Sequence, residues 1–203
     1  MNNPEMIPYP YPDIRGRLST FTIINCEHRN LLCRLIGHTA VVYKCCETNQ
    51  IMVLESNVGT GVHLTPMGKW VSEYPGKVFV RIPEFKYKSI TNDLKASYRL
   101  DDAEEFVKTH VGRSYPNLLT LSGKMKLILA TLDLKICGKD LFTYEGNDEG
   151  IFCTMLVIMF LQYCGLMSNE TVAHEWEPDD TRKDFTLKHC LINCKYGKEI
   201  RIK

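Results

Sequence analysis

The sequence predicts an α+β fold in which a small antiparallel sheet packs against one apolar helix. Most segments before Pro83 are rich in β-branched and aromatic residues, as strands are, and most segments after Pro83 have helical patterns. This order is typical of α+β domains. Late in the chain, residues 151–164 are apolar on nearly every side, which indicates a helix buried in the core. With 203 residues, 44% of them hydrophobic, the chain is long and apolar enough to form such a core without metals or disulfides.

The first 17 residues carry four prolines and are expected to form an extended arm. Proline lacks the backbone N–H that a helix interior needs, and its fixed backbone angle favours extended chain. Such an arm is expected to lie on the surface of the protein or on a partner. Residues 18–203 contain no repeat, low-complexity block or linker, so we expect them to form a single domain.

Five short strands are expected, each bounded by glycine, proline or polar turn residues. The second and third strands are joined by the polar segment 47–50, so we expect them to form an antiparallel hairpin. In chain order the expected strands cover residues 18–25, 38–44, 51–55, 62–64 and 77–82.

Helical patterns occupy the spaces between and after the strands. The first expected helix has Thr65 as its N-cap and Pro66 at its first position, and the second has an acidic first turn and ends at Gly112. The tail of the chain is expected to form a strand or hairpin near residues 185–194. In chain order the expected helical segments cover residues 66–74, 101–111, 118–134 and 151–164.

Charge and cysteine content limit the classes of partner and the compartment. The formal net charge of +1 gives no electrostatic basis for binding nucleic acid or an anionic membrane surface. The N-terminus has no apolar segment typical of a secretory signal, and residues 151–164 are too few to span a bilayer. Nine cysteines without an export signal are expected to be reduced thiols, which favours a cytoplasmic location.

Cys153 is the candidate nucleophile. It lies in the first turn of the expected buried helix, directly after an acidic, glycine-containing turn. The unpaired N–H groups at a helix N-terminus favour the thiolate, which is the reactive form of cysteine. The alternative is a free cysteine that acts as a small apolar residue in the core, as is expected of Cys164.

His38 and Glu55 are candidate partners for that thiol. In a hairpin of residues 38–44 and 51–55 with an even-numbered loop, an even position opposes an odd one, so both side chains lie on the same face. A carboxylate there is expected to hold the imidazole through Nδ1 and leave Nε2 facing the thiol. The alternatives are that His38 is a structural histidine and that Glu55 is a solvated charge at a strand end.

A separate alternative is a zinc site formed by His189, Cys190 and Cys194, although no second ligand pair stands at a zinc-finger spacing.

Taken together, these segments resemble the YiiX/YebB-like hydrolases, which are circularly permuted NlpC-type members of the papain-like cysteine peptidase superfamily. The resemblance covers residues 37–82, 101–117 and 151–166. The segments that carry it are GHTAVVYK, IMVLESNVGTGVHLTPMGKWV, KVFVRIP, VGRSYPN and GIFCTMLVIMFLQYCGL. The distinguishing mark is the permuted order, in which a histidine on a strand comes first, an acidic residue on a strand follows, and the cysteine comes last.

The resemblance implies a permuted papain-like fold and a hydrolase that cleaves an amide or ester bond without a cofactor or metal. It assigns the nucleophile to Cys153, the base to His38 and the orienting carboxylate to Glu55. The implied substrate is a peptide, an amino-acid conjugate or a lipid-like acyl compound. Bacteria and large DNA viruses carry such proteins, and the reduced cysteines favour an intracellular or viral member, in the host cytoplasm or the virion.

The chain departs from the family pattern at several places. Thr154 and Met155 stand where the family has Ser and Glu after the nucleophile, so any role of that Glu is lost. Residues 118–148 are longer and more apolar than in the family and are expected to form an inserted lid or a partner surface. The alternative to an enzyme is a catalytically silent interaction protein that keeps the papain-like fold. The oligomeric state stays open.

Overall fold

A six-stranded antiparallel sheet forms the centre of the structure. This computed structural model describes residues 8–29, 37–85, 91–115, 151–173, 176–192 and 194–203, with only the backbone for residues 91–98. The strands lie side by side in the order β4-β3-β2-β1-β5-β8. They are β1 (Ile23–His28), β2 (His38–Lys44), β3 (Ile51–Asn57), β4 (Gly61–Pro66), β5 (Gly76–Arg81) and β8 (Ile200–Arg201). A second, two-stranded sheet pairs β6 (Pro83–Phe85) with β7 (Cys194–Tyr196).

Helices cover both faces of the large sheet. They are α1 (Tyr11–Ile14), α2 (Met67–Glu73), α3 (Thr91–His110), α4 (Cys153–Tyr163) and α5 (Asp184–Cys190). On one face, buried side chains such as Val41 and Leu54 pack against α4. The side chains of α4 are apolar, and this packing removes them from water. On the other face, Ala40 and Val53 pack against α1 and α2. The fold is therefore α+β, with an antiparallel sheet on the helix that begins at Cys153, as the sequence predicts.

The hairpin of β2 and β3 has the register that the sequence predicts. Val41 pairs with Leu54 and Lys44 pairs with Ile51, across the connection formed by residues 45–50. Even positions of β2 therefore share a face with odd positions of β3. This register brings the side chains of His38 and Glu55 to the same face of the sheet. Glu55 lies opposite residue 40, two residues along β2 from His38.

Two elements differ in kind from the prediction. The proline arm is not extended throughout, since α1 forms over residues 11–14 and buries Ile14. Pro12 is accepted there because it occupies the first turn, where its missing N–H needs no partner. The tail is predicted to form a strand or hairpin near residues 185–194, but residues 184–190 form the helix α5, anchored by the buried Leu187, and the strands β7 and β8 begin only at Cys194 and Ile200.

Other elements differ from the prediction in extent. The first strand begins at Ile23 instead of residue 18, and α3 begins at Thr91, ten residues before the predicted start. Thr65 lies in β4, and the residue that precedes α2 is Pro66. The predicted helical stretch 118–134 and the predicted insertion 118–148 lie outside the described residues. Within the part of the chain that the structure describes, no helix is long and apolar enough to cross a membrane.

Candidate active site

The site is built around the buried carboxylate of Glu55. Only 3% of Glu55 is exposed, and its Oε2 lies 2.8 Å from Nε2 of His38. His38 is the first residue of β2, so its ring stands at the rim of the sheet and its side chain is 16% exposed. A buried carboxylate is costly unless its oxygens accept hydrogen bonds, and the imidazole supplies one of them.

Cys153 is the first residue of α4 and contacts the same imidazole. Its thiol lies beside the side chain of His38 and the backbone N–H of Thr39, and both of them favour the thiolate. The preceding residue, Phe152, makes no capping hydrogen bond through its side chain, so that side chain leaves the first-turn N–H groups near the sulfur uncapped. The sequence-predicted residues Cys153, His38 and Glu55 thus lie together, with the thiol beside the imidazole and the imidazole hydrogen-bonded to the carboxylate.

A single buried hydroxyl fixes the start of α4 against the sheet. Ser56, the residue after Glu55, donates a hydrogen bond of 2.5 Å to the carbonyl oxygen of Ile151. The backbone N–H of Ile151 donates to the carbonyl of Ser114, at 3.2 Å. These two bonds hold the chain just before Cys153 beside the strand that carries the carboxylate.

The pKa shifts of the three groups describe an ion pair. Burial acts to raise the pKa of the Cys153 thiol, but the adjacent His38 imidazolium outweighs burial and lowers it. Burial likewise disfavours the charged form of His38, but its bonds to Cys153 and Glu55 raise its pKa to about 10. The pKa of Glu55 is lowered because His38 and Trp70 outweigh the effect of burial. The favoured state of the pair is therefore a thiolate beside an imidazolium.

The ring of His38 is turned the opposite way from the prediction. The sequence analysis places the carboxylate on Nδ1 and the thiol on Nε2, whereas the structure places Glu55 on Nε2. Because Nε2 is engaged, Nδ1 is the ring nitrogen left for the thiol. The start of α4 also lies close to the backbone of β2, since the N–H of Thr39 favours the Cys153 thiolate.

Two further donors hold Glu55, and neither was among the predicted site residues. Nε1 of Trp70 in α2 donates to Oε1 at 2.7 Å, and Nε2 of His63 in β4 lies 3.1 Å from the same oxygen. Nδ1 of His63 lies 2.9 Å from the carbonyl oxygen of Gly61, which fixes the ring. His63 directly opposes Glu55 in the register of β3 and β4. A prediction of that register would have found His63, but no local pattern indicates Trp70.

An aromatic and sulfur-containing wall lies beside the imidazole. The ring of Tyr74 stacks on His38 at 6.5 Å and on Trp70 at 5.0 Å between ring centroids. Cys26 in β1 pairs with His38 across the sheet and forms a hydrogen bond with Tyr74. Burial raises the pKa of the Cys26 thiol well above its usual range. Cys26 is therefore a neutral thiol beside the site, in contrast to Cys153.

The residues of the alternative zinc site do not come together. Cys194 is buried, with its sulfur directed to the carbonyl of Leu166 at 3.9 Å, while His189 packs edge-on against Phe185. Among the described residues, no group of three or more histidine, cysteine or acidic side chains is placed to hold a metal ion.

Comparisons with known proteins identify no family for this chain. No family model matches it, and no curated protein is significantly similar to it.

Proposed function

We propose that this chain is a cysteine hydrolase of the permuted papain-like (NlpC-type) fold, which cleaves an amide or ester bond through Cys153, His38 and Glu55. The observation that carries the proposal is that the Cys153 thiol lies beside His38, whose imidazole is hydrogen-bonded to the buried carboxylate of Glu55. A thiolate and an imidazolium held together supply both the nucleophile and the acid that acyl transfer requires.

The reaction has two stages. In the first, the Cys153 thiolate attacks the carbonyl carbon and a carbon–sulfur bond forms. His38 then gives its proton to the leaving nitrogen or oxygen as the bond to that atom breaks, which leaves a thioester on Cys153. In the second stage, His38 takes a proton from a water molecule, which attacks the thioester and releases the acid and the Cys153 thiolate.

Glu55 and the start of α4 have supporting roles in this scheme. Glu55 holds the imidazole in one orientation and stabilises its positive charge whenever the ring is protonated. The negative oxygen of the tetrahedral intermediate would be stabilised by the Cys153 backbone N–H and a neighbouring donor at the start of α4. Thr154 and Met155 contribute no acid or base at the positions after the nucleophile, so the scheme uses none there.

The direct test is to trap the acyl-enzyme. The protein is mixed with p-nitrophenyl esters of acetate, butyrate and octanoate, quenched in acid and analysed by peptide mass spectrometry. We expect an acyl group on Cys153 while nitrophenol is being released, and we expect this group to disappear once the ester is consumed. Cys153→Ala is expected to show no turnover. Acylation spread over several cysteines, or turnover that survives Cys153→Ala, would show that the proposal is wrong.

Thiol reactivity supplies a test that needs no substrate. Iodoacetamide at neutral pH is expected to alkylate Cys153 faster than the exposed Cys46. Cys45 needs separate treatment, because hydrogen bonds from Thr48 lower the pKa of its thiol as well. The measurement is therefore made in a Cys45→Ser background and resolved peptide by peptide.

A second candidate function is a catalytically silent interaction protein with the same fold. It is favoured by one observation, which is that only 8% of Cys153 is exposed. In that case the Cys153–His38–Glu55 chain would serve stability alone. A Cys153 that reacts no faster than Cys46, in a protein that forms no acyl adduct, is the result expected of such a protein.

A further inference from the structure

A cavity of about 180 Å³ opens beside His38 at the rim of the large sheet. One wall is the end of β1 with the start of β2, and the other is the segment around the 3₁₀ turn Asp180–Arg182. A water molecule occupies roughly 30 Å³ in the liquid, so this volume accommodates a group the size of an amino-acid side chain. Its lining residues are Asn25, Cys26, Glu27, Gly37, His38, Pro178, Asp179 and Arg182.

The position of the cavity relative to the ion pair indicates which part of a substrate it receives. His38 lines the cavity, whereas Cys153 does not. In the proposed reaction the acyl group becomes attached to Cys153, and the leaving group takes its proton from His38. A cavity on the His38 side therefore receives the leaving group.

The guanidinium of Arg182 is already occupied, so it does not make the cavity an anion site. Its Nη1 donates to Glu27 at 2.9 Å and its Nη2 donates to Glu199 at 2.8 Å. Its planar face lies 4.7 Å from the ring centroid of Phe79. The side chain of Arg182 is thus held in place, and it positions Glu27 at the edge of the cavity.

Carboxylates supply the remaining binding capacity. Glu27 uses Oε1 for Arg182, and its second oxygen retains the capacity to accept a hydrogen bond. Asp179 on the opposite wall is exposed and forms no salt bridge with any described residue. Lys183 is paired with Asp180, so Glu27 and Asp179 leave carboxylate oxygens on the two cavity walls, and the complement of this cavity is a positively charged N–H donor.

We infer that the cavity is the leaving-group subsite and that it binds a leaving amine which carries a second, positively charged amino group. This inference rests on the proposed hydrolase function. The substrate is accordingly an amide of a diamine or of a basic amino acid, and not a simple lipid ester. In the acylation step, Nδ1–H of His38 protonates the amide nitrogen as the carbon–nitrogen bond breaks, while the second ammonium stays between Glu27 and Asp179.

The experiment measures binding of the leaving group itself, so it does not depend on turnover. Lysinamide and 1,4-diaminobutane are titrated into the ¹⁵N-labelled full chain, and amide shifts are followed at Asn25, Glu27 and Asp179. We expect saturable millimolar binding of at least one of the two, with shifts confined to the cavity. Binding of lysinamide alone identifies an amino-acid leaving group, and binding of 1,4-diaminobutane alone identifies a polyamine.

Matched ligands and variants make the result decisive. Glu27→Gln and Asp179→Asn are each expected to weaken binding by about tenfold, as the loss of one charge-assisted hydrogen bond implies, while iodoacetamide alkylates Cys153 at an unchanged rate. Equal binding of neutral 1,4-butanediol, tighter binding of succinate, or no binding of either amine would overturn the inference. An unreactive Cys153 in a protein that still binds the amines would refute the hydrolase and leave the cation site standing.

Discussion

At the scale of single residues, Cys153 and His38 stabilise each other's charge, and this determines how reactivity depends on pH. The pKa of Cys153 is lowered, and that of His38 is raised to about 10. The thiolate is present above the lowered pKa of Cys153, and the imidazolium is present below about pH 10. The two coexist only between these limits, so that interval is where the nucleophile and the acid are both available.

The first prediction separates these two limits. Alkylation needs only the thiolate, so its rate is expected to rise through the lowered pKa of Cys153 and stay level at high pH. Hydrolysis also needs the proton of His38, so its rate is expected to fall again as the pH passes about 10. The measurement is the rate of each reaction across the pH range on the same preparation. A hydrolysis rate that follows alkylation into the alkaline range would exclude His38 as the acid.

His38→Gln extends this prediction to the origin of the shift. Without the imidazolium, burial is left to dominate, and the pKa of Cys153 is expected at or above the ordinary thiol value of about 8.5. Alkylation at pH 7 is then expected to slow by about tenfold or more. His189→Gln is the control, because His189 is exposed on α5 and packs against Phe185, so its loss is expected to leave the alkylation profile unchanged.

The second prediction concerns the donor from Trp70. Trp70→Phe keeps an aromatic ring in the same place but removes the Nε1–H that donates to Glu55 at 2.7 Å. Because a buried carboxylate then lacks one of its donors, Trp70→Phe is expected to lower the free energy of unfolding by about 1–3 kcal/mol. Urea unfolding measures this loss. Trp176→Phe is the matched control, since Trp176 makes no side-chain hydrogen bond with the described residues, and an equal loss in both variants would contradict the assigned role of Trp70.

At the scale of elements, the start of α4 must be held against β3 for the residues of the site to meet. The third prediction is that Ser56→Ala, which removes the 2.5 Å bond to Ile151, lowers the free energy of unfolding by about 1 kcal/mol. It is also expected to raise the pKa of Cys153, because the contact with His38 loosens. Urea unfolding and the alkylation profile measure the two effects.

Ser72→Ala provides the control for this prediction. Ser72 donates only to the carbonyl of Lys69 on the exposed side of α2, so its loss is expected to be nearly neutral. If Ser56→Ala changes stability but leaves the pKa of Cys153 in place, Ser56 supports the fold and does not position the nucleophile.

Strand periodicity predicted one contact of the site correctly. The even-numbered connection between β2 and β3 fixes which side chains share a face, so His38 and Glu55 could be placed together from the sequence. That argument needs only local geometry. The orientation of the His38 ring could not be predicted in this way, because it depends on where the start of α4 lies.

Contacts between distant elements were beyond such local arguments. The position of Cys153 in the first turn of a buried helix could be predicted from the sequence, but the donor Trp70 comes from α2, whose packing is set by the apolar face of the sheet. The error in the tail has a related cause. Residues 184–190 are too few for a clear helical period, and the burial of Leu187 against the core decides their conformation.

At the scale of the whole molecule, one buried arginine connects the sheet to the wall of the cavity. Arg81 in β5 is 2% exposed, and its Nε donates to the carbonyl of Gly197 at 3.2 Å. Its Nη1 donates to the carbonyls of Thr181 and Arg182, at 3.2 and 3.1 Å. Its Nη2 is paired with the carboxylate of Asp184. The strand, the 3₁₀ turn at the cavity and the start of α5 therefore share one set of donors.

The fourth prediction is that Arg81→Met lowers the free energy of unfolding by about 2–4 kcal/mol, because it leaves several carbonyl oxygens near the core without a donor. Lys195→Met is the matched control. Lys195 pairs with Glu84 on the surface, where both side chains are more than half exposed, and its loss is expected to cost about 0.5 kcal/mol or less. Urea unfolding of the two variants gives the comparison. Similar stabilities for the two variants would contradict the role assigned to Arg81.

Arg81 contacts the segment that carries Arg182 but not the Cys153–His38 pair. The Arg81→Met variant is therefore expected to bind the diamine more weakly, while alkylation of its Cys153 stays rapid. A loss of Cys153 reactivity in the folded Arg81 variant would show that the cavity wall and the ion pair are not held independently.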